Sequence, residues 1–472
     1  MVFSSSIFLC FFLPAFLWVY FLIPYRFKNY WILLSSVLFY AWGAPKFILI
    51  VLAVLAADYY LGNKIYENEG KRKKLYLILS IILNLGLLFY FKYFNFFMGN
   101  VSAVLVSAGM KSLEWTKVIL PIGISFFVFQ EMSYTIDIYR GEHKPLKKFS
   151  DYMLFIFLFS HLIAGPIVTY NVLADDIVDR RKNLNNDYRL LGFFRFIIGL
   201  SRKVLIANPL GLVADHMFNG NLASLSAGDA WLGIIAYTFQ LYFDFAGYSD
   251  MAIGLGKMMG FNFPENFDSP YISQNITEFW RRWHITLGSW MRRYLYIPLG
   301  GNRISVPRTY LNLWIVFILS GFWHGASWNF LVWGCYHGLF IVIDKLFWER
   351  LSEKLPRIIN VILTFFIVAV GWIFFRADTT PHAIQYVHQM FCGAYSFDYF
   401  LEVKTCIVLA LAVAFSFGSF WPFVYEKLMV FYKTVAGSGF QLAKAVVAIV
   451  LFYMSMAEIV SSGFNPFIYF RF

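Results

Sequence analysis

The sequence predicts an all-α protein that crosses a membrane many times. Of its 472 residues, 60% are hydrophobic and only 14% are charged, whereas soluble domains carry about 25% charged residues. A spanning helix needs about 20 predominantly apolar residues, and the apolar runs of this chain predict roughly eleven to thirteen such segments. Their helical pattern differs from the alternating strands of about ten residues that build an outer-membrane barrel.

The predicted segments follow one another without a separate soluble domain, so one transmembrane domain is predicted over residues 1–472. In chain order they cover about 3–23, 31–42, 46–60, 75–98, 118–138, 151–170, 190–216, 230–258, 310–332, 334–348, 359–376, 404–425 and 443–462. Gly43-Ala44-Pro45 interrupts one apolar run and Gly165-Pro166 interrupts another, because proline breaks a helix. Interrupted helices are tolerated at membrane depth only inside protein or around a cavity, so we expect a bundle with a central funnel.

The net charge of +12 comes from basic clusters that flank the apolar runs. Lys and Arg accumulate in the cytoplasmic loops of membrane proteins, so these clusters report topology. No basic face is separable from the membrane segments, which argues against nucleic-acid binding. The four cysteines show no CxxC spacing, and we interpret them as small hydrophobic residues rather than as disulfides or metal ligands.

The segment 262–308 differs from the rest because it is polar and rich in arginine and tryptophan. A loop bounded by prolines precedes a helix that Ser273 or Thr277 could cap. Arginines alternate with aromatic residues along this helix, which is typical of an amphipathic helix lying at an interface. The predicted element is a cytoplasmic-side amphipathic or re-entrant segment that ends at Pro298.

Two histidines in apolar surroundings are the first candidates for chemistry. His324 lies inside the predicted span 310–332, and His284 lies in the helix of the segment 262–308. An ionisable side chain at membrane depth costs about 2.5–3.5 kcal/mol when charged and usually faces a cavity or a partner. A neutral imidazole costs less and titrates near neutral pH. If the two helices converge, one histidine would act as general base and the other would orient substrate or protonate a leaving group.

Each histidine also has a purely structural interpretation. His284 could be a hydrogen-bonded interfacial residue, and His324 could be a buried residue whose polar atoms are paired within the protein. Gly321 and Gly325 form a GxxxG pair, a spacing that allows helices to pack closely. No HExxH motif and no cysteine at ligand spacing accompany the histidines, so no metal site is predicted.

Asp244 and Asp250 place two carboxylates inside the predicted span 230–258. Ionisable groups in such a helix are functional candidates by default. Because they are six residues apart they do not share a helix face, so they are not a paired acid and base. We expect Asp244 and Asp250 to orient the histidines or to line a polar tunnel, and a structural bond to a neighbouring arginine is the alternative.

The closing residues 465–472 form a tail too aromatic to remain free in water. One interpretation is an aromatic anchor at headgroup depth. The other is an acyl-transfer tail that enters the protein's own cavity and presents the Tyr469 hydroxyl. Lys427, Lys433 and Lys444 mark a cytoplasmic loop, so the following span places Tyr469 on the opposite side of the membrane.

Several long motifs together resemble the bacterial branch of the membrane-bound O-acyltransferase (MBOAT) family, the group that contains alginate and peptidoglycan O-acetyltransferases. These motifs are Glu265-Asn266-Phe267, Pro270-Tyr271, Glu278-Phe279-Trp280-Arg281-Arg282-Trp283-His284, Tyr296-Ile297-Pro298-Leu299-Gly300-Gly301-Asn302-Arg303 and Gly321-Phe322-Trp323-His324-Gly325-Ala326-Ser327-Trp328. The likeness extends over nearly the whole chain, through residues 127–141 and the closing 467–472. The family's Trp-His-Gly histidine falls on His324, and its Arg-Trp-His histidine falls on His284.

The resemblance implies a fold and a reaction. The fold is a ring of helices around a thinned centre, where funnels from both faces meet near the histidine. The reaction takes an acyl group from a cytoplasmic thioester and delivers it to an extracytoplasmic polymer. In the related teichoic acid D-alanylation system a similar Phe-Ile-Tyr tail belongs to a separate small protein. Because the tail is part of this chain, acetyl-CoA is the expected donor substrate, and no bound cofactor is expected.

Site residues follow from the same resemblance. His324 and His284 are the expected catalytic histidines, and Tyr469 is the expected carrier of the acetyl group. The expected substrate-binding residues are Asp244, Trp280, Arg281, Arg282 and Trp328. The two arginines would attract the phosphates of CoA, although their position is equally explained by cytoplasmic topology. The two tryptophans lie one helical turn from His284 and His324.

The expected location is the bacterial cytoplasmic membrane, in contact with lipid. The expected partner is an extracytoplasmic SGNH or serine hydrolase-like acetyltransferase, with an exported polysaccharide or peptidoglycan as the eventual acceptor. D-alanyl transfer to teichoic acids is the alternative enzyme activity. A transporter or export pore with proton-relaying histidines is the alternative of another class, but such proteins often show paired halves with matching interrupted helices, and the sequence shows none.

Overall fold

The structure is a computed structural model that describes residues 2–434, 438–462 and 467–468. Within these ranges the secondary structure is helical, and the β-type pairing is limited to one isolated antiparallel bridge between Phe267 and Trp283. The all-α class predicted from composition is therefore confirmed. The chain divides into two compact units, one formed by residues 7–184 with 259–263 and the other by 2–6, 185–258 and 264–472.

The first unit contains nine α-helices in its described residues. They are α1 (Leu13–Leu22), α2 (Tyr25–Gly43), α3 (Ile48–Glu67), α4 (Gly70–Leu88), α5 (Phe94–Ser107), α6 (Ile124–Tyr139), α7 (Phe149–Phe157), α8 (Phe159–Leu162) and α9 (Tyr170–Val178). The predicted interruptions are confirmed here. Helix α2 ends at Gly43 before Pro45, and no helix covers Gly165 or Pro166 between α8 and α9.

The second unit contains thirteen α-helices in its described residues. They are α10 (Asn186–Ser201), α11 (Asn208–Asn219), α12 (Ala227–Met258), α13 (Ile276–Arg282), α14 (Ile285–Met291), α15 (Val306–His324), α16 (Trp328–Ile343), α17 (Glu349–Ser352), α18 (Arg357–Arg376), α19 (Thr380–Cys392), α20 (Val403–Phe417), α21 (Pro422–Lys433) and α22 (Ser438–Ser462). A π-helical turn, Arg202–Ala207, links α10 to α11.

Six helices of the described chain are long and apolar enough to cross a membrane. They are Pro45–Glu67, Gly70–Ser107, Trp328–Ser352, Arg357–Arg376, Val403–Phe420 and Phe440–Ser462. Each overlaps one of the predicted segments, and the apolar helix Phe8–Leu22 is shorter. The multi-pass character is thereby confirmed. The higher number of crossings expected from sequence, the single domain and the ring with its two funnels stay predictions.

The segment 262–308 differs from its prediction. Instead of one helix it forms two short helices, α13 and α14, and the chain breaks at His284, whose backbone is left-handed with φ 46°. The N-cap is Asn275, whose side chain accepts a hydrogen bond from the Glu278 amide at 2.7 Å, rather than Ser273 or Thr277. The bridge between Phe267 and Trp283 competes with helical hydrogen bonding at this point, and this explains the break.

Helices α10 and α12 pack with their backbones in close approach. A Cβ atom added to Gly199 would lie 2.5 Å from the carbonyl oxygen of Gly247, and one added to Gly192 would lie 2.6 Å from that of Gly254. Small residues allow such contacts between membrane helices. Lys203 follows Gly199 by four residues, and Asp244 precedes Gly247 by three, so the close approach also brings these two charged residues together.

We predict that Gly199→Ala lowers the thermal unfolding temperature of the detergent-solubilised protein, because the methyl group would overlap the Gly247 carbonyl. Gly86→Ala in α4 is the matched control, since nothing lies within 4 Å of its added Cβ. That control should be neutral or stabilising by up to about 1 kcal/mol, because alanine favours helix. Equal melting of Gly199→Ala and wild type would contradict the close packing of α10 and α12.

Candidate active site

The structure brings His284 and His324 together, as the sequence predicted. Their ring centroids are 6.4 Å apart, although the residues are separated by 40 positions. His324 is the last residue of α15, and His284 lies at the break between α13 and α14. Both are buried, with 4% and 1% of their surface exposed. Two imidazoles therefore lie close together in a largely apolar interior.

Asn266 holds His284 in place through several hydrogen bonds. Its side-chain oxygen lies 3.2 Å from Nδ1 of His284 and accepts from the Thr286 hydroxyl at 2.8 Å. Its backbone oxygen accepts from the Ile285 amide at 3.0 Å, and its side-chain NH₂ donates to the Ser249 hydroxyl at 3.0 Å. An oxygen acceptor at Nδ1 selects the tautomer that carries the proton there. Nε2 of His284 then carries the lone pair.

The backbone of His284 lies in a conformation that residues other than glycine rarely adopt. Such a residue costs on the order of 1–3 kcal/mol, and these strained positions are concentrated at active sites. Burial lowers the pKa of His284 to about 3, because desolvation disfavours the imidazolium. The imidazole is therefore neutral at physiological pH, which is the state that a proton acceptor needs.

Aromatic side chains enclose His324 on several sides. Trp333 and Phe375 meet the imidazole edge-on, with centroid distances of 5.2 and 5.3 Å. The helix ends here because Gly325 is extended, and Gly321 and Gly325 pack against Phe330. The GxxxG pair thus has the close-packing role that the sequence allowed.

A cavity of about 500 Å³ reaches His284. Among its lining residues are His284 and Ser320, the latter one helical turn before His324. Its other walls combine aromatic and basic side chains, including Trp280, Trp283, Arg281, Arg292, Tyr296 and Lys345. Arg292 and Lys345 were missed by sequence reasoning, because basic residues near helix ends are common in membrane proteins for reasons of topology alone.

A second cavity of about 260 Å³ begins on the carboxyl side of His324. It is lined by Gly325, Ala326, Ser327, Phe330, Phe375 and Ile468, together with Tyr237 and residues 376–378. The first cavity touches α15 at Ser320 and the second touches the chain at Gly325, so His324 lies between them along the sequence. Ile468 is the residue that precedes Tyr469. Tyr469 itself lies outside the described residues.

The predicted substrate-binding residues divide between two environments. Trp280 and Arg281 line the larger cavity. Arg282 does not, because it turns to Glu278 at 2.9 Å and to Asp268 at 3.0 Å. Trp328 is 59% exposed at the start of α16 and lines neither cavity. Neighbouring positions on a helix differ in direction by about 100°, so adjacency to a motif does not place a side chain in its cavity.

Asp244 and Asp250 take part in separate networks, which confirms that they are not a paired acid and base. Asp250 bonds to Arg195 at 3.0 Å and to the Tyr432 hydroxyl at 3.0 Å. Asp244 pairs with Lys203 at 2.7 Å, and its other oxygen accepts from the Ile468 amide at 2.8 Å. The hydrogen bonds of Asp244 therefore go to a lysine and to the tail rather than to the histidines or to an arginine.

The described part of the tail, Phe467 and Ile468, is buried within the second unit. Phe467 stacks on Tyr248 with a centroid distance of 4.3 Å, and its ring lies 6.0 Å from that of Phe245. Phe245 in turn meets His284 edge-on at 4.7 Å.

Within the described ranges, no group of three His, Cys, Asp or Glu side chains is placed to hold a metal ion.

Comparison with known protein families gives one match, in which the model of the membrane-bound O-acyltransferase family covers residues 142–375. A protein of Pseudomonas syringae pv. tomato named probable alginate O-acetylase AlgI is 43% identical over 437 residues, which cover 92% of this chain and 83% of that protein. The peptidoglycan O-acetyltransferase of Helicobacter pylori is 37% identical over 83% of this chain and 80% of its own length. The teichoic acid D-alanyltransferase of Bacillus subtilis is 27% identical over 55% of this chain and 70% of its own length.

We predict that His284→Gly leaves the protein more stable than His284→Ala by about 1 kcal/mol in detergent unfolding measurements. Both variants lose the imidazole, but only alanine retains the cost of a left-handed backbone. The same two substitutions at Ser289, an exposed position inside α14, are the control, and there alanine should be the more stable. If alanine is also the more stable residue at 284, the left-handed backbone does not exist.

Proposed function

The chain belongs to the membrane-bound O-acyltransferase family, and on that premise we propose that it transfers acetyl groups from cytoplasmic acetyl-CoA toward an exported glycan, through His324 and an acetyl ester of Tyr469. It is a multi-pass membrane enzyme, and we place it in a bacterial cytoplasmic membrane. The choice of an acetyl group is supported by a relative named probable alginate O-acetylase at 43% identity and by one named peptidoglycan O-acetyltransferase at 37% identity. The D-alanyltransferase is more distant, since its similarity covers only 55% of the chain.

One observation carries the proposal: of two buried histidines that lie close together, His284 lines a large basic cavity, and His324 directly precedes Gly325 in the wall of a small cavity that is also lined by the residue before Tyr469. A transfer across a membrane needs two approaches to one reactive group. The larger cavity provides the approach for the donor, and the smaller provides the approach for the acceptor hydroxyl. A proton-relaying pore would not need the aromatic and basic lining of the larger cavity.

The larger cavity has the chemistry that CoA requires. Arg281, Arg292 and Lys345 are exposed cations at its wall, and cations of this kind bind phosphate groups. Trp280 and Trp283 offer flat apolar surfaces to the adenine or to the pantetheine chain. We assign the donor thioester to this cavity, with its reactive end toward His284 and Ser320.

The proposed chemistry requires a neutral imidazole within hydrogen-bond reach of a hydroxyl. His324 accepts the phenolic proton as the Tyr469 oxygen attacks the thioester carbonyl. General base catalysis of this kind raises the reaction rate by about 10²–10⁴-fold. The carbon–sulfur bond breaks, and the CoA thiolate takes the proton back from the imidazolium. Acetyl-CoA and tyrosine thus become CoA and acetyl-tyrosine without net gain or loss of a proton. His284 orients the thioester from the opposite side.

The acetyl group then has to leave the membrane enzyme. A phenyl ester is more activated than an alkyl ester because phenol, with a pKa of about 10, is a good leaving group. A serine hydroxyl of an extracytoplasmic SGNH-type partner would accept the acetyl group and pass it to a polysaccharide or to peptidoglycan. The partner and the acceptor glycan are part of the proposal.

We predict that His324→Ala lowers the rate of CoA release from acetyl-CoA by at least about 10²-fold in the purified protein, because the general base is lost. His388→Ala, a change at an exposed histidine of α19, is the matched control and should leave the rate unchanged. Thermal unfolding of both variants checks that the fold is kept. Undiminished CoA release by His324→Ala would remove His324 from the mechanism.

We predict that incubation with radiolabelled acetyl-CoA places label on wild-type protein and that Tyr469→Phe abolishes it. The substitution removes a single oxygen, so CoA release in the first turnover should fall with the label. Peptide mass spectrometry locates the acetyl group. Label of normal intensity on Tyr469→Phe would exclude Tyr469 as the carrier while leaving an O-acetyltransferase that acts directly on another acceptor.

A further inference from the structure

Asp244 and Lys203 form a nearly dry ion pair in the interior of the second unit. Their side chains are 2% and 3% exposed, and the Lys203 nitrogen lies 2.7 Å from Oδ1 of Asp244. Lys203 belongs to the π-helical turn Arg202–Ala207, and π-helical turns are found frequently at functional sites. A buried pair of this kind seldom stabilises a fold relative to apolar residues of the same volume. The presence of this ion pair therefore indicates a role other than stability.

The second oxygen of Asp244 indicates that role. Oδ2 accepts a hydrogen bond from the backbone amide of Ile468 at 2.8 Å, across 224 positions of the sequence. Lys203 contacts one oxygen of this carboxyl group while the other oxygen accepts from the tail, so one side chain connects the ion pair to residue 468. Without Asp244 the buried Ile468 amide would lose its acceptor.

Aromatic contacts fix the neighbouring residue of the tail. The Phe467 ring stacks on the Tyr248 ring with a centroid distance of 4.3 Å. The Phe3 ring also stacks on Tyr248, with a centroid distance of 4.7 Å. Phe467 and Ile468 are 0% and 4% exposed. Asp244 and Tyr248 are four residues apart on α12, so one face of this helix holds both tail residues.

We propose that Lys203, Asp244 and Tyr248 form a binding site for the protein's own tail, which holds residues 467–468 so that Tyr469 is presented to the cavity beside His324. Residue 469 is covalently joined to Ile468, and Ile468 lines that cavity. Holding the Ile468 amide restricts the positions open to the Tyr469 hydroxyl. Lys203 and Asp244 are thus positioning residues, and this role rests on the proposed function of Tyr469.

Two double variants of the full-length protein isolate the hydrogen bond from the ion pair. Lys203→Met with Asp244→Asn removes both charges and keeps a side-chain oxygen for the Ile468 amide. Lys203→Met with Asp244→Leu removes both charges and the acceptor at nearly the same volume. Replacing a buried ion pair by apolar residues is often neutral for stability, so both variants should fold. Lys404→Met, which breaks the more exposed Lys404–Glu458 pair, is the control for loss of a lysine.

The first measurement is hydrogen exchange of the carboxyl-terminal peptide, read by mass spectrometry, which needs no acetyl transfer. We expect the Ile468 amide of the Asn variant to stay within about tenfold of the wild-type exchange rate. In the Leu variant it should exchange at least about tenfold faster than in the Asn variant, because the buried amide is left unpaired. Equal exchange in the two double variants would overturn the tail-binding site.

The second measurement is acetylation of Tyr469 in a single turnover with acetyl-CoA, with CoA affinity measured alongside. We expect the Leu variant to lose at least about tenfold more acetyl-tyrosine than the Asn variant, with CoA affinity unchanged in both. Equal acetylation despite faster exchange would overturn the positioning role. If wild-type protein acquires no acetyl group, the proposed carrier function fails and the positioning role with it, while the exchange data still decide whether the tail-binding site exists.

Discussion

The pairing of the loop at Asn266 with the chain break at His284 is the interaction on which the site depends. An imidazole in an apolar interior is useful only if its orientation is fixed and its second nitrogen is directed at a reactant. Asn266 fixes the imidazole by accepting from residues 284–286 and by donating to Ser249 on α12. The same loop carries the bridge from Phe267 to Trp283 that stops α13. These hydrogen bonds offset a left-handed backbone cost on the order of 1–3 kcal/mol, so the local strain at His284 persists in a stable fold.

The sequence predicted the helical class from its composition, and it predicted the interruptions at Pro45 and Pro166 because proline breaks a helix locally. It predicted the meeting of the two histidines because the motifs that contain them are typical of one family. It did not predict the break at His284, since a left-handed residue other than glycine has no local signature and results here from pairing with residues 266–268. It placed Arg281 and Arg282 in the same role, but only Arg281 lines the cavity, because the directions of adjacent helical side chains are decided by the packing of the helix. Lys203 was missed although a lysine in an apolar run is itself a signal. Its partner, 41 positions away, depends on the packing of α10 against α12.

The two cavities differ in their linings, and each suits one of the two reactants of the proposed acetyl transfer. The larger has a cationic and aromatic lining that suits a phosphorylated donor, and the smaller receives the tail through Ile468. In the proposed mechanism the thioester and the hydroxyl approach the histidines through separate cavities, and Trp333 and Phe375 pack around the imidazole of His324. The tail is part of the same chain, so its local concentration at the second cavity is high without a separate carrier protein. In our proposal the ion pair of Lys203 and Asp244 holds the Ile468 amide and so limits the positions open to Tyr469.

The most direct test of this account is a cryo-electron-microscopy map of the full-length protein with bound CoA. We expect density for the phosphates near Arg281, Arg292 and Lys345, and density for the thiol within hydrogen-bond reach of His284 or His324, directly or through one water. CoA bound elsewhere, or a thiol separated from both imidazoles by packed side chains, would contradict the central claim that the donor reaches these histidines through the larger cavity.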